Sequence, residues 1–152
     1  VWFDRKTSEI NLKQKGLYLG KVEKTSAIFC LMKNGSYFSS EVKLGVLSRV
    51  PLLNVQIYSV ESSVFILFYN KKLDKTQLSS FLVSLSPKKG YVSSEGDIQI
   101  YFYTLNKEKK IRYRNASDDN VYNTLSLKPL NVHESPQIKD VCDGPLLDWT
   151  AV

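Results

Sequence analysis

The sequence predicts an α/β domain in which a mixed β-sheet is flanked by a few helices. Three observations carry this expectation. Val64, Phe65, Ile66, Leu67, Phe68 and Tyr69 form an unbroken apolar run of strand length, the pattern of a strand covered on both faces, which needs further layers around it. Residues 97–105 alternate, with Ile98, Ile100, Phe102 and Thr104 set against Gln99, Tyr101 and Tyr103, as a half-buried strand does. Leu78, Phe81, Leu82 and Leu85 recur at i, i+3, i+4 and i+7, which is one buried stripe of a helix.

The elements follow in order. Residues 1–15 are polar and charged and read as a lead-in. Residues 16–22 read as a strand with Leu17 and Leu19 on one face. A turn at Glu23, Lys24 and Thr25 leads to a second strand over 26–33. Asn34 and Gly35 then supply a hairpin turn, because both tolerate the positive φ of a type I′ turn. A third strand over 36–42 completes an antiparallel meander. Residues 44–53 are ambiguous, with room for a short helix that ends before Pro51, and residues 55–60 alternate as a strand. The clearest helix runs over 74–85, with Asp74 as N-cap and Gln77 completing a capping box. Pro87 and Gly90 end it. Ser117, Asp118, Asp119 and Asn120 form a second N-cap cluster, opening a short helix that carries Val121, Tyr122 and Leu125. From Lys128 onward, Pro129, Pro136 and Pro145 punctuate an irregular tail. No internal repeat or low-complexity linker is evident, so a single domain over 1–152 is expected.

Composition sets the limits. With 152 residues, 43% hydrophobic and 24% charged, the chain can bury a core without disulfide or metal staples and is not composed like a disordered one. Nine Tyr and seven Phe, most of them in short apolar runs, favour β-structure. Cys30 lies within an apolar run and reads as a small buried hydrophobe. Neither Cys30 nor Cys142 has a Cys or His at metal-ligand spacing, and a reducing compartment is the expectation. No apolar stretch reaches the roughly 18 residues of a membrane span. The ending Leu146, Leu147, Asp148, Trp149 reads as the approach to a span beyond these residues, or as a docking tail.

No reaction chemistry emerges. His133 is the only histidine and falls in a loop-like stretch, so a Ser-His-acid or Cys-His site has little to draw on. Asp118 and Asp119 are better explained by capping and the helix dipole than as a carboxylate pair. No glycine-rich phosphate loop occurs. The chain is read as no enzyme, with no catalytic, cofactor-binding or metal-binding residue. Its distinctive charged segment is 107–114. In a strand there, Lys110, Arg112 and Arg114 share one face. Near Tyr101, Tyr103 and Tyr113 they offer a basic, aromatic surface for single-stranded nucleic acid. The plainer reading is a solvated hairpin end whose charges discourage edge pairing. A net charge of +6 suits nucleic acid, an anionic lipid surface or an acidic protein equally. The candidate interaction residues are Lys110, Arg112, Tyr113, Arg114 and Trp149.

The stretch Gly16-Leu17-Tyr18-Leu19-Gly20, a tight turn, the apolar strand over 26–33, Asn34-Gly35 and a third strand resemble the first β-meander of actin-like (ribonuclease H-like) folds. Among these the chain resembles the cytoplasmic domains of type IV pilus and type II secretion assembly proteins of the PilM and GspL type, closest in organisation to those of bundle-forming pili. The resemblance covers about a fifth of the chain. It departs from the nucleotide-binding pattern at Lys21, which stands where an acidic residue is expected, with Glu23 the nearest acid. The resemblance therefore implies a reduced actin-like domain without ATP hydrolysis. Such a domain would be a scaffold on the cytoplasmic face of the bacterial inner membrane, docking an assembly ATPase and a polytopic platform protein, with basic residues toward an anionic leaflet. A basic nucleic-acid-binding module is the alternative. An active ATPase relying on Glu23 ranks third.

Overall fold

A computed structural model of the chain describes residues 1–23, 26–48, 52–59, 63–82, 90–93, 97–105, 109–116, 118–127 and 136–151. These residues form fifteen strands and no helix. In chain order they are β1 (Trp2–Asp4), β2 (Glu9–Asn11), β3 (Leu17–Tyr18), β4 (Ser26–Met32), β5 (Ser36–Glu41), β6 (Gly45–Val46), β7 (Leu52–Ser59) and β8 (Ser63–Asn70). There follow β9 (Lys75–Leu82), β10 (Gly90–Tyr91), β11 (Ile98–Leu105), β12 (Lys109–Asn115), β13 (Asp118–Leu127), β14 (Gln137–Asp143) and β15 (Leu146–Ala151). The α/β, actin-like expectation is therefore overturned: the chain is all-β, and its strand pairs are antiparallel.

One plan recurs in every sheet. Two successive strands form a central hairpin, the next strand that the sheet receives pairs with the first of them, and in three of the four sheets a fourth described strand pairs with the second. The orders are β3-β1-β2-β6, β7-β4-β5-β10, β11-β8-β9-β14 and β15-β12-β13, the last with no fourth strand among the described residues. Each fourth strand arrives late. β6 follows the β4–β5 hairpin, β10 follows β8–β9, and β14 follows β12–β13. This is an internal repeat of topology that the sequence reading did not find. Its strands vary too much in length, from two residues in β6 and β10 to seven in β14, to leave a periodic signature.

The chain divides into two compact units, Val1–Ser62 with Val83–Tyr91 and Ser63–Leu82 with Val92–Val152. In the first, Phe3 and Ile10 from the β3-β1-β2-β6 sheet pack with Ile28, Cys30 and Met32 of β4 and Leu52 and Val55 of β7. Gly16 has φ +93, and a Cβ there would fall 2.0 Å from the Phe3 carbonyl oxygen. Only glycine lets β3 lie against β1. The second unit buries Phe65 and Leu67 of β8, Leu78 of β9, Ile111 and Tyr113 of β12 and Leu127 of β13 in one cluster.

The corrections have local causes. Residues 74–82 are not helical, because Asp74 closes the turn between β8 and β9 at φ +52. There its carboxylate accepts the Tyr69 hydroxyl at 2.5 Å, and Asn70 Oδ1 accepts the Leu73 amide at 3.1 Å. Along β9, Leu78 and Phe81 belong to opposite faces, so their helical spacing is coincidental. Buried polar residues hide the true period of two. Gln77 Oε1 accepts Asn70 Nδ2 at 3.2 Å, and Ser79 Oγ donates to the Val92 carbonyl at 3.0 Å. The second expected helix is instead the long strand β13, which turns Leu125 and Leu127 toward the core that contains Ile111. The expected tail contains β14 and β15, linked through Gly144 at φ +72.

The opening meander is also corrected. β3 pairs with β1, whereas β4 lies between β5 and β7, and the lead-in itself supplies β1 and β2. Around 44–53 the structure has β6 and the start of β7 where a short helix was allowed; residues 49–51 lie outside the described set, as do 83–89 and His133. Strands at 26–32, 36–41, 52–59, 63–70 and 98–105 stand close to where the sequence puts them.

Candidate functional site

The basic segment does form a strand, and its alternation is as expected. Ile111 is fully buried and Tyr113 nearly so, while Lys110 and Arg112 are exposed on the opposite face with Arg114 half-buried beside them. β12 is the middle strand of its sheet. On β13, Ser126 faces Lys110 and Thr124 faces Arg112; on β15, Thr150 faces Arg112 and Asp148 faces Arg114.

The aromatic partner of this face is Tyr122. Two residues from Thr124 along β13, it stands on the same side of the sheet, and both guanidinium groups close over its ring. Arg112 Cζ lies 4.3 Å from the ring centroid and Arg114 Cζ 5.2 Å. Attraction between a cation and the ring's negative face contributes about 0.5–1 kcal/mol at such an exposed position. Arg114 Nη2 also donates to Asp148 Oδ2 at 2.6 Å, which fixes that guanidinium and neutralises part of its charge. The rigid element is thus Arg114 with Asp148, and Lys110 and Arg112 provide the outward positive charge.

Two other expected contact residues point the other way. Tyr113 belongs to the core cluster, and burial raises its phenol pKa. Trp149 faces Tyr113 across the β12–β15 pair and packs on Phe102 with ring centroids 5.7 Å apart. It is partly buried against the core cluster of its unit. Tyr101 accepts the Leu146 amide at 3.0 Å through its hydroxyl, and burial raises its pKa also. Tyr101 and Tyr113 therefore hold β11, β12 and β15 in place instead of lying beside the arginines. The sequence reading placed Tyr122 in a helix and did not join it to the basic strand. Alternation along 118–127 was the available signal, masked by the capping appearance of Asp118 and Asp119.

A cleft of about 110 Å³ is lined by Asp4, Thr7, Glu9, Asn11, Lys13 and Lys15. Its buried amide, Asn11, is used within the loop: Nδ2 donates to the Lys15 carbonyl at 3.0 Å, and Oδ1 accepts the Lys13 and Lys15 amides at 3.0 and 3.2 Å. Asp140 of β14 accepts Gln77 Nε2 at 2.8 Å and Lys75 Nζ at 3.2 Å. The amide, then the ammonium, hold its carboxyl below the usual range. Cys30 is buried, with its thiol pushed up to about 12 by desolvation, and both cysteines are free. The Glu23 backbone amide donates to Ser26 Oγ at 2.9 Å. Among the described residues no group of three His, Cys, Asp or Glu side chains could hold a metal ion. No protein family, no curated protein and no solved structure matches the chain.

Proposed function

We propose that the chain is a non-catalytic protein-binding module that takes an acidic partner on the outer face of the β15-β12-β13 sheet. The observation that supports this is the Arg112–Tyr122–Arg114 stack, flanked by exposed Lys110 and a row of small hydroxyl residues. A stacked guanidinium has less rotamer freedom to lose on meeting a carboxylate. Threonine and serine hydroxyls at Thr124, Ser126 and Thr150 add neutral donors and acceptors around it. The pilus-assembly and secretion role rested on the actin-like meander, which this fold lacks, and no observation here carries it further.

Single-stranded nucleic acid is the second reading, favoured by the same pairing of arginine with an aromatic ring. It is the weaker one. Among the described residues of this face Tyr122 is the single ring, already covered by guanidinium, whereas sequence-independent binding of single strands stacks successive bases on several exposed rings. The two readings separate in one titration. Fluorescence anisotropy of the 152-residue chain with a glutamate-rich peptide and with an oligothymidylate is measured at low and moderate salt. The proposal expects the peptide to bind, with Arg112→Gln weakening it. Preference for the oligonucleotide, with affinity falling steeply in salt, would replace the proposal with the second reading.

A further inference from the structure

Two strand carboxylates and two loop ammonium groups border one small cleft in the first unit. Asp4 and Glu9 are direct partners in the β1–β2 register. Their half-buried side chains share one face of the sheet, opposite the face whose Phe3 and Ile10 enter the core. Like charges set directly across two strands repel and destabilise the pairing. Among the described residues neither carboxylate takes part in an ion pair that would relieve this. Lys13 and Lys15, from the loop between β2 and β3, line the same cleft and are likewise not ion-paired.

The backbone holds both groups of charges in place. Asn11 is 5% exposed, and its Oδ1 accepts the Lys13 and Lys15 amides at 3.0 and 3.2 Å while Nδ2 donates to the Lys15 carbonyl at 3.0 Å. One buried side chain thus pins the stems of both lysines. Asp4 Oδ1 accepts the Lys6 amide at 2.9 Å, which orients that carboxylate and leaves Oδ2 for another donor. Ser8 and Gln14 have φ of 54° and 62°. Ser8 stands between Thr7 and Glu9, and Gln14 between Lys13 and Lys15, so each lies between two residues of the lining. Left-handed backbone at non-glycine residues costs free energy and gathers at ligand clamps.

We propose that this cleft binds a small zwitterion, a free amino acid of the glycine or serine class, with its ammonium on Asp4 and Glu9 and its carboxylate on Lys13 and Lys15. An ammonium has three donors, so it can serve both carboxylates and remove the repulsion between them. A simple cation would meet the lysines and a simple anion the carboxylates. A ligand with both charges satisfies the whole lining. Size narrows the class. At about 10–15 Å³ for each water-sized group, a cleft of about 110 Å³ admits roughly seven to eleven non-hydrogen atoms. The lining contains no apolar side chain, which favours a ligand with no side chain or a hydroxylated one that meets Thr7. The site shares no residue with the basic face of β12.

The test is an NMR titration of the whole chain with glycine, serine, ethanolamine and glycolate, the last two carrying one charge each. Amide signals of residues 7–9 and 13–15 report binding. Glycine and serine should saturate these shifts, and each single-charge analogue should bind at least roughly tenfold more weakly. Asp4→Asn and Lys15→Gln should each weaken serine by roughly tenfold, and added salt should weaken it further because exposed charges are screened. Both substituted residues are half-buried or exposed, and unchanged signals elsewhere in the chain verify that the variants stay folded. Ethanolamine binding as tightly as serine, with Lys15→Gln neutral, would leave a cation site and overturn the zwitterion. Glycolate binding as tightly as serine, with Asp4→Asn neutral, would leave an anion site and overturn it equally. Absence of saturable shifts with glycine and serine would overturn the site altogether.

Discussion

Replacing two adjacent residues of β12 should have opposite consequences. Ile111 is fully buried against Phe65, Leu67, Leu78, Tyr113 and Leu127. Truncation to alanine removes three side-chain carbons and leaves a cavity that antiparallel strands on either side prevent from collapsing. Such substitutions cost about 2–5 kcal/mol. Arg112 is exposed and contributes one cation–π contact with Tyr122, so Arg112→Ala should cost within about 1 kcal/mol. The assay is urea unfolding followed by tryptophan fluorescence in a Trp2→Phe background, so that Trp149, which packs in the same cluster as Ile111, reports alone. Ile111→Ala should shift the midpoint strongly and Arg112→Ala hardly. Comparable losses from the two, or a larger loss from Arg112→Ala, would refute the assignment of inner and outer faces on which the candidate site depends.

Two further perturbations test other parts of the structure. Gly16→Ala should destabilise the first unit by roughly 1–3 kcal/mol from backbone strain alone, with more from its collision with the Phe3 carbonyl; near-neutral thermal unfolding would contradict the β1–β3 approach. Asp140 titrates below the usual carboxylate range, so it contributes stability above that range and loses it as pH falls through its lowered value. Wild type should thus lose stability relative to Asp140→Asn on acidification below about pH 3.9, modestly because the group is solvent-exposed; a constant difference down to pH 2 would remove its pairing with Gln77 and Lys75.

Much of the strand content was legible, and the reasons are particular. Apolar β4 and β8, the alternation of Ile98 to Thr104 and the Asn34-Gly35 turn all express strand geometry in side-chain chemistry. The basic face was legible too, because period two alone aligns Lys110, Arg112 and Arg114. The helices were misread where polar residues are buried and satisfied within the sheet. Gln77 and Ser79 look solvated in sequence, and only their partners Asn70, Asp140 and Val92 reveal them as interior. Asp74 imitates a cap because the same carboxylate that closes a helix start can also close a hairpin turn. The sheet plan was not legible at all. Which hairpin a late strand such as β6, β10 or β14 joins depends on long-range pairing, and short strands carry too few residues to encode it.

The most direct test of the all-β account is residue-resolved NMR across residues 74–82 and 109–127. The account predicts cross-strand Hα and amide contacts pairing Leu67 with Leu78, Ile111 with Leu125 and Ile111 with Ala151, together with Arg112 methylene protons shifted upfield by the Tyr122 ring. Sequential amide contacts with Hα(i)–amide(i+3) contacts through 74–82 or 118–125 would show helices there and contradict it.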